Sequence, residues 1–226
     1  AEAAADERLA RVPATLVLTA IFWRNTWKYQ ARGYRHLFWD SGTMLANVLA
    51  VADGAGVTAR LVTGFTDARV NRLLGLEAEK EASLELVPLG PEGSPAPAAP
   101  SVPEITPRSL PLSQSEVDYP LLREMHAAST LVEPAEVSQW RAGAGLPKSA
   151  QPGGLLPLPA PNERSGRSLG ETILRRASTR QFARVPISAE ELSSVLFHAT
   201  RGFPADVPSG LVDLYLVLNA VGGYEP

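Results

Sequence analysis

Apolar and polar positions change period along this chain in a way that divides it into three zones. In residues 1–90, Ala14-Thr15-Leu16-Val17-Leu18-Thr19-Ala20-Ile21-Phe22 is a run of β-branched and apolar side chains with the length of a buried strand. From Arg35 to Ala52 the period becomes helical. Leu37, Phe38, Leu45, Val48, Leu49 and Ala52 recur at 3.6-residue spacing, which predicts a largely buried helix, with Gly54 and Gly56 ending it in left-handed C-cap positions. Arg60 to Phe65 reads as a second strand, Asp67 to Leu74 as a short helix stopped by Gly75, and Ser83 to Val87 as a third strand. Helices alternating with strands imply a layered α/β or α+β core.

The pattern weakens in residues 91–165, where proline takes over. Fourteen of the chain's 20 prolines fall between residues 91 and 161. Proline fixes φ and removes a backbone donor, so this stretch suits an extended linker outside either core. Within it, Val117, Leu121, Leu122, Met125 and Ala128 stand at helical spacing, and Glu133 to Arg141 suits a second short helix. The linker is therefore expected to carry one or two helices that dock on a neighbouring domain. In residues 166–226 two capping boxes, Ser168 with Glu171 and Ser188 with Glu191, open two helices. Leu192, Val195, Leu196 and Ala199 share one face of the second, and Val212 to Leu218 alternates like a strand.

Composition removes several classes of function. The 226 residues hold no cysteine, so disulfides, thiolate catalysis and cysteine zinc sites are excluded, and three scattered histidines leave little for a histidine metal site. Net charge is −3, which gives no general footprint for nucleic acid or a membrane surface. No apolar run is long enough to span a bilayer and no signal peptide is evident, so the expectation is a soluble cytoplasmic protein. The chain starts at Ala1 and stops at Gly222-Gly223-Tyr224-Glu225-Pro226, just after the last expected strand. It reads as an excerpt from a longer polypeptide.

Charge is informative locally. Arg24, Lys28, Arg32 and Arg35 succeed one another at spacings of four, four and three, and no acid lies between Glu7 and Asp40. On a helix these cations share one face, either as a solvated basic surface or as a binding face with Tyr29 and Tyr34 interleaved to stack on a planar ring or act as acids. Nucleic-acid binding is weak here, because residues 1–90 balance ten bases with ten acids. The second cluster is Arg175-Arg176-Ala177-Ser178-Thr179-Arg180-Gln181-Phe182. Its guanidiniums around a hydroxyl suit a phosphate or an electron-rich ring edge, or else they neutralise a helix C-terminus. Asp53-Gly54-Ala55-Gly56 comes after a helix and not a strand, the wrong context for a dinucleotide turn, and His198 is most simply a surface or capping residue.

Taken together these motifs resemble a known family. Arg176-Ala177-Ser178-Thr179-Arg180-Gln181-Phe182 resembles the Arg-x-Ser-x-Arg/Lys-x-Phe opening of flavin-dependent nitroreductase-like domains. Arg201-Gly202 with Pro208-Ser209-Gly210 and the Tyr215 segment resembles the next stretch of such domains. Arg24 to Arg35, then Asp40-Ser41-Gly42 and Asn47, is similar to the Lys-Tyr-x-x-Arg-x-Tyr-Arg…Asp-x-Gly…Asn pattern of the SagB-type azoline dehydrogenases. Thr63-Gly64-Phe65, Leu73-Leu74-Gly75-Leu76 and Val87-Pro88-Leu89-Gly90 continue it. In that family the Arg-x-Ser-x-Arg half comes first; here it comes last. The resemblance thus implies an α+β nitroreductase-like fold seen as the C-terminal half of one domain (1–90), a Pro-rich linker (91–165) and the N-terminal half of a second (166–226). A circular permutant is the rival arrangement.

The resemblance also implies chemistry. Arg176, Ser178 and Arg180 would hold FMN, Ser209 would approach the flavin across a domain interface, and the backbone of Thr63 and Gly64 would face flavin N5. Lys28 and Tyr29 match the catalytic pair, Tyr29 as base and Lys28 lowering its pKa by charge. The implied reaction is oxidation of a peptide thiazoline or oxazoline to an azole. The implied partners are a peptide substrate and a cyclodehydratase complex, and the implied assembly is a dimer or intramolecular pseudo-dimer. The alternative from another class is a degenerate, non-catalytic module that binds peptide or a partner subunit.

Overall fold

The structure, a computed structural model, describes residues 1–98, 103–108, 110–111, 113–143, 154–164, 166–208 and 210–224. They form two units: Ala1–Ala144 together with Pro204–Val207, and Gly145–Phe203 together with Pro208–Pro226.

The first unit is built on an antiparallel pair, β1 (Ala14–Ile21) and β2 (Glu81–Leu89), registered Ala14 to Leu89 and Ile21 to Glu81. On the other side of β2, single bridges join Ala59 to Leu89 and Val62 to Leu86, and Leu61 bridges Ala205 in parallel. Residues 60–65 therefore pair with β2 at isolated points and do not form the full strand their composition predicts. With neighbours on both sides, β2 is buried over its whole interior, as a central strand must be.

The register shifts between Leu18 and Thr19, which face Glu85 and Ser83, leaving Leu84 as the extra residue. One extra residue reverses the parity of a strand. Before the bulge Ser83 meets Asn71, whose Oδ1 accepts from the Ser83 amide and hydroxyl at 2.9 and 2.7 Å. Beyond it, Glu85 meets Ser41 on the opposite layer, the serine hydroxyl 2.7 Å from both carboxylate oxygens.

Three helices and the linker close these layers. Helix α1 (Trp23–Tyr29) ends at Gln30, a non-glycine residue at φ 55, and a 3-10 turn (Gln30–Arg32) leads into α2 (Gly33–Gly54). The expectation that Arg24, Lys28, Arg32 and Arg35 share one helical face fails at this break, because the chain turns between Tyr29 and Gly33. Helix α2 packs Leu37 and Leu45 into the core but leaves Phe38, Trp39, Met44 and Val51 exposed, so it is half-covered and not largely buried. It runs through Gly54, and of the two expected capping glycines only Gly56 is left-handed, at φ 67. Helix α3 (Asp67–Leu74) ends as predicted, on Gly75 at φ 69.

The linker expectation needs correction. Helices α4 (Pro120–Ser129) and α5 (Pro134–Gly143) form where the periodicity puts them, yet they do not lie outside the core. Leu122 of α4 joins Phe22, Leu37 and Leu84 in one apolar cluster, and Val137 of α5 is fully buried. Both helices dock as expected, but on the core of the first unit and as part of it. Asp67 anchors the α4–α5 connection: its amide donates to the Leu131 carbonyl at 3.0 Å and its carboxylate accepts from the Leu131 amide at 2.7 Å. Burial pushes the Asp67 carboxyl up to about 6.

The second unit holds α6 (Leu169–Arg175) and α7 (Ala189–Thr200). Ser188 and Glu191 close a complete capping box on α7, whereas at α6 only the Ser168 half is formed. Residues 212–218 are not a strand. They stay irregular, with Val212, Tyr215 and Val217 at 77, 91 and 84% exposure, because a strand needs a partner edge and none lies beside them among the described residues.

Candidate functional site

Lys28 and Tyr29 close α1. The Tyr29 ring stacks on His36 from the first turn of α2, centroids 3.8 Å apart and planes at 15°, and the Lys28 ammonium lies 5.1 Å from the Tyr29 centroid. His36 in turn donates from Nδ1 to the Arg32 carbonyl at 3.0 Å and packs against Trp39, over which Arg35 lies at 5.9 Å. The break at Gln30 produces this arrangement by folding the end of α1 against the start of α2. His36 and Trp39 were not singled out from the sequence, although their spacing of three marks a shared helical face. Tyr34 belongs elsewhere. Its hydroxyl lies 3.0 Å from Ser129 Oγ and its ring meets Phe38 and His126, so α4 has claimed it. Burial raises the Tyr34 phenol and lowers the His126 imidazole, which keeps both neutral at pH 7.

Beside this run, a cavity of about 960 Å³ opens between β1 and the α1–α2 pair. Leu16, Trp23, Trp27 and Met44 give it apolar walls, and Arg24 and Asp40 give it charge. Asp40 also accepts from Asn25 Nδ2 at 3.2 Å. The volume is that of a small-molecule or peptide side-chain site.

Thr63 and Gly64 sit where residues 60–65 leave β2. Their amides donate to Asp206, Thr63 N–H to Oδ1 at 2.8 Å and Gly64 N–H to Oδ2 at 2.9 Å, and the Thr63 hydroxyl adds a third contact at 3.0 Å. From α5, Arg141 Nη2 donates to the Gly64 carbonyl at 2.6 Å and to Asp6 Oδ2 at 3.2 Å. Trp140 lies against Gly64, where a Cβ would come within 2.7 Å of the indole. Asp6 gathers Arg8, Arg60 and Arg141 around one buried carboxylate. Burial alone would raise the Asp6 carboxyl, but hydrogen bonds and charge from Arg8, with charge from Arg141, bring it down to about 2. Asp6, Trp140, Arg141 and Asp206 were all missed as site residues.

In the second unit, Arg176 caps α6 in extended geometry, and Ser178 and Arg180 come next on an exposed segment. None of the three makes a side-chain hydrogen bond among the described residues. Arg175 is the cation in the last turn of α6. Ser209, the remaining expected site residue, lies outside the described residues. Among the described residues no group of three metal-ligating side chains gathers, and no helix is long and apolar enough to cross a membrane.

Donor chemistry fits an FMN ligand unevenly. Two exposed guanidiniums and a hydroxyl suit a phosphate. The Thr63–Gly64 edge, in contrast, is filled by the chain's own carboxylate and indole.

Residues 1–90 match the Nitroreductase family. The microcin B17-processing protein McbC of Escherichia coli is 36% identical over 79 residues, which is 35% of this chain and 29% of that protein. The chain therefore spans less than a third of this curated relative. A crystal structure of an Anabaena variabilis protein assigned to the nitroreductases superimposes with a TM-score of 0.61 at 25% identity, covering 85% of this chain and 39% of that one. The E. coli microcin synthetase McbBCD complex with truncated pro-MccB17 is 32% identical over 35% of this chain and 30% of the matched one, with a TM-score of 0.34.

Proposed function

We propose that the chain is nitroreductase-like, of the SagB-type branch, with an α+β fold, and that the complete protein is an FMN-dependent oxidoreductase that converts peptide thiazolines or oxazolines to azoles. The observation that carries this reading is the 36% identity to a microcin-processing protein, in a chain whose residues 1–90 match the Nitroreductase family. The arrangement we favour is tandem: the end of one domain, a linker, and the start of a second. The Anabaena protein supports it, because 85% of this chain matches only 39% of one chain more than twice as long. Apolar side chains left bare in the second unit, Leu174, Phe182 and Tyr215 among them, also support it as a half-core that the rest of a domain would cover.

Oxidising an azoline to an azole removes one hydrogen from each of the two adjacent saturated ring carbons, one as a proton and one as a hydride. FMN, when bound, supplies the hydride acceptor. Arg176, Ser178 and Arg180, with Ser209, would hold it. Tyr29 would take the proton, which a phenol of ordinary pKa near 10 does poorly at neutral pH. Lys28, its ammonium 5.1 Å from the ring centroid, would stand beside the phenol, and the His36 stack would fix the ring. The cavity beside Arg24 would receive the peptide, in a cytoplasmic biosynthetic complex. A second reading, a non-catalytic peptide- or partner-binding module, is favoured by one observation, the closure of the Thr63–Gly64 edge.

The visible spectrum of the purified full-length protein, together with mass spectrometry of an azoline-containing peptide, separates the two. A flavin band and loss of two hydrogens from the peptide support the enzyme. A colourless protein that binds the peptide unchanged supports the module.

A further inference from the structure

Glu85 is the charged residue in the buried interior of β2, and it is only 6% exposed. Opposite it, α2 buries Gly33, Leu37, Ser41, Leu45 and Ala52, a stripe in which Ser41 alone carries a polar side chain. The two polar groups meet. Ser41 Oγ lies 2.7 Å from Glu85 Oε1 and 2.7 Å from Oε2. A serine hydroxyl has one hydrogen to give, and an ionised carboxylate has none. Two bonds of that length need a second hydrogen, which a protonated Glu85 supplies. Its O–H then donates to Ser41 Oγ while the Ser41 hydroxyl donates to the other carboxyl oxygen.

No neighbouring charge assists ionisation. Leu18 of β1 stands against Glu85 in the register, and Leu18, Leu45, Leu61 and Val87 form an apolar cluster on the same face of β2. The nearest charges along these elements are committed elsewhere: Asp40 is exposed and accepts from Asn25, and Arg60 is paired with Asp6. Burial raises the Glu85 carboxyl, and the Ser41 bond offsets this only in part. An ionised Glu85 would keep one donor in an apolar layer, and water reaches it only if α2 moves away from β2. Asp40, Ser41 and Met44 of α2 also line the cavity beside β1, so the seat of the helix sets one wall of that cavity.

We propose that Glu85 is a proton-dependent seat for α2: it is a carboxylic acid, paired both ways with Ser41, while the helix is docked, and it gives up that proton as the helix lifts. Rising pH therefore loosens α2 and the cavity wall it carries. The seat stands independently of the flavin reading.

The test uses the full-length protein. Infrared difference spectra of wild type against E85Q are recorded at about pH 5.5, where an ordinary glutamate, at 4.5, is mostly ionised. Hydrogen exchange of the 33–54 amides, corrected for intrinsic rates, is followed from that ordinary value upward. In E85Q the amide oxygen accepts from Ser41 and the amide N–H donates to it, so both bonds survive without a titrating group. Wild type should show a carboxylic-acid carbonyl band that E85Q lacks, with Asp67 cancelling between the two. Protection of α2 in wild type should fall as pH rises toward the raised value of Glu85, by up to about tenfold per pH unit, one proton's worth, and fall no further above it. E85Q should lack that component. Should E85Q fail to fold, D67N, which removes the other raised carboxyl, decides, and the fall in α2 protection should persist in it. Absence of the acid band from the difference, or α2 protection that depends on pH equally in wild type and E85Q, overturns the proposal. So does a fall that D67N abolishes.

Discussion

At the scale of single residues, the sequence motifs name neighbours along the chain but not what packs against them. Lys28 and Tyr29 are neighbours on any reading, but His36 beneath the ring comes from the turn at Gln30. Tyr29→Phe keeps that stack and deletes the ionisable oxygen. In the full-length protein it should retain flavin and lose on the order of 10²–10⁴-fold in azoline oxidation, the usual worth of a general base. Lys28→Ala should move the pH optimum upward. Normal rates with an unmoved profile would make the pair a packing contact. Arg176→Ala or Arg180→Ala should weaken FMN retention about ten- to a hundredfold, the worth of one charge-assisted hydrogen bond, read by equilibrium dialysis.

Asp67 allows a prediction independent of function. Its carboxyl sits at about 6 in the folded protein against an ordinary 3.8. Between those values the folded state holds a proton that the unfolded state has released, so stability falls as pH rises through the window and stays lower above it. Asp67→Asn can still accept from Leu131 without carrying the charge. It should raise Tm relative to wild type at pH 7.5 and leave it nearly equal at pH 3.5. An equal shift at both pH values would mean that the effect is not titration.

Elements were legible where one face is buried and periodic. The positions of α2, α3, α4, α5 and α7 follow the periodicity, but their buried faces follow it only in part: α4 buries Leu122 and His126 while Leu121 and Met125 are exposed, and α7 buries Leu192 while Val195 is exposed. The signal failed where pairing decides the outcome. Residues 60–65 and 212–218 have similar strand-like compositions, yet the first finds β2 and Ala205 and the second finds no edge among the described residues. Strand character belongs to the pair, and a single segment cannot reveal it. The linker shows the converse: prolines at 91–161 suggested a stretch outside either core with one or two helices docked on a neighbour, while Leu122, at 2% exposure, is a core residue. Leu122→Ala should therefore destabilise the first unit by about 2–5 kcal/mol, measured by urea unfolding. A cost under about 1 kcal/mol would return α4 to the status of a surface helix.

For the whole molecule, the Arg-x-Ser-x-Arg and Lys-Tyr motifs were legible as candidates because they are local. Asp206 and Arg141 were not, because they reach Gly64 across 142 and 77 residues. Exposed apolar surface also appears only at this scale. Phe38, Trp39 and Met44 on α2 and Leu174, Phe182 and Tyr215 in the second unit are bare in residues 1–226. Taken alone, this stretch should self-associate and bind a hydrophobic dye, seen by sedimentation velocity and dye fluorescence, and the full-length protein should do neither. A monodisperse, dye-silent 1–226 would contradict that.

The distance in sequence between Thr63 and Asp206 is also a distance in time. A ribosome adding roughly 5–20 residues per second needs on the order of 7 to 30 s to pass from one to the other. For that interval β1, β2 and the 60–65 segment have been synthesised while the carboxylate that will close on them has not. During that interval the two amides stand without the acceptor that holds them in the finished fold. The first unit closes this corner only once its last segment, Pro204–Val207, has been made, so folding during synthesis and refolding of the finished chain meet that closure at different points.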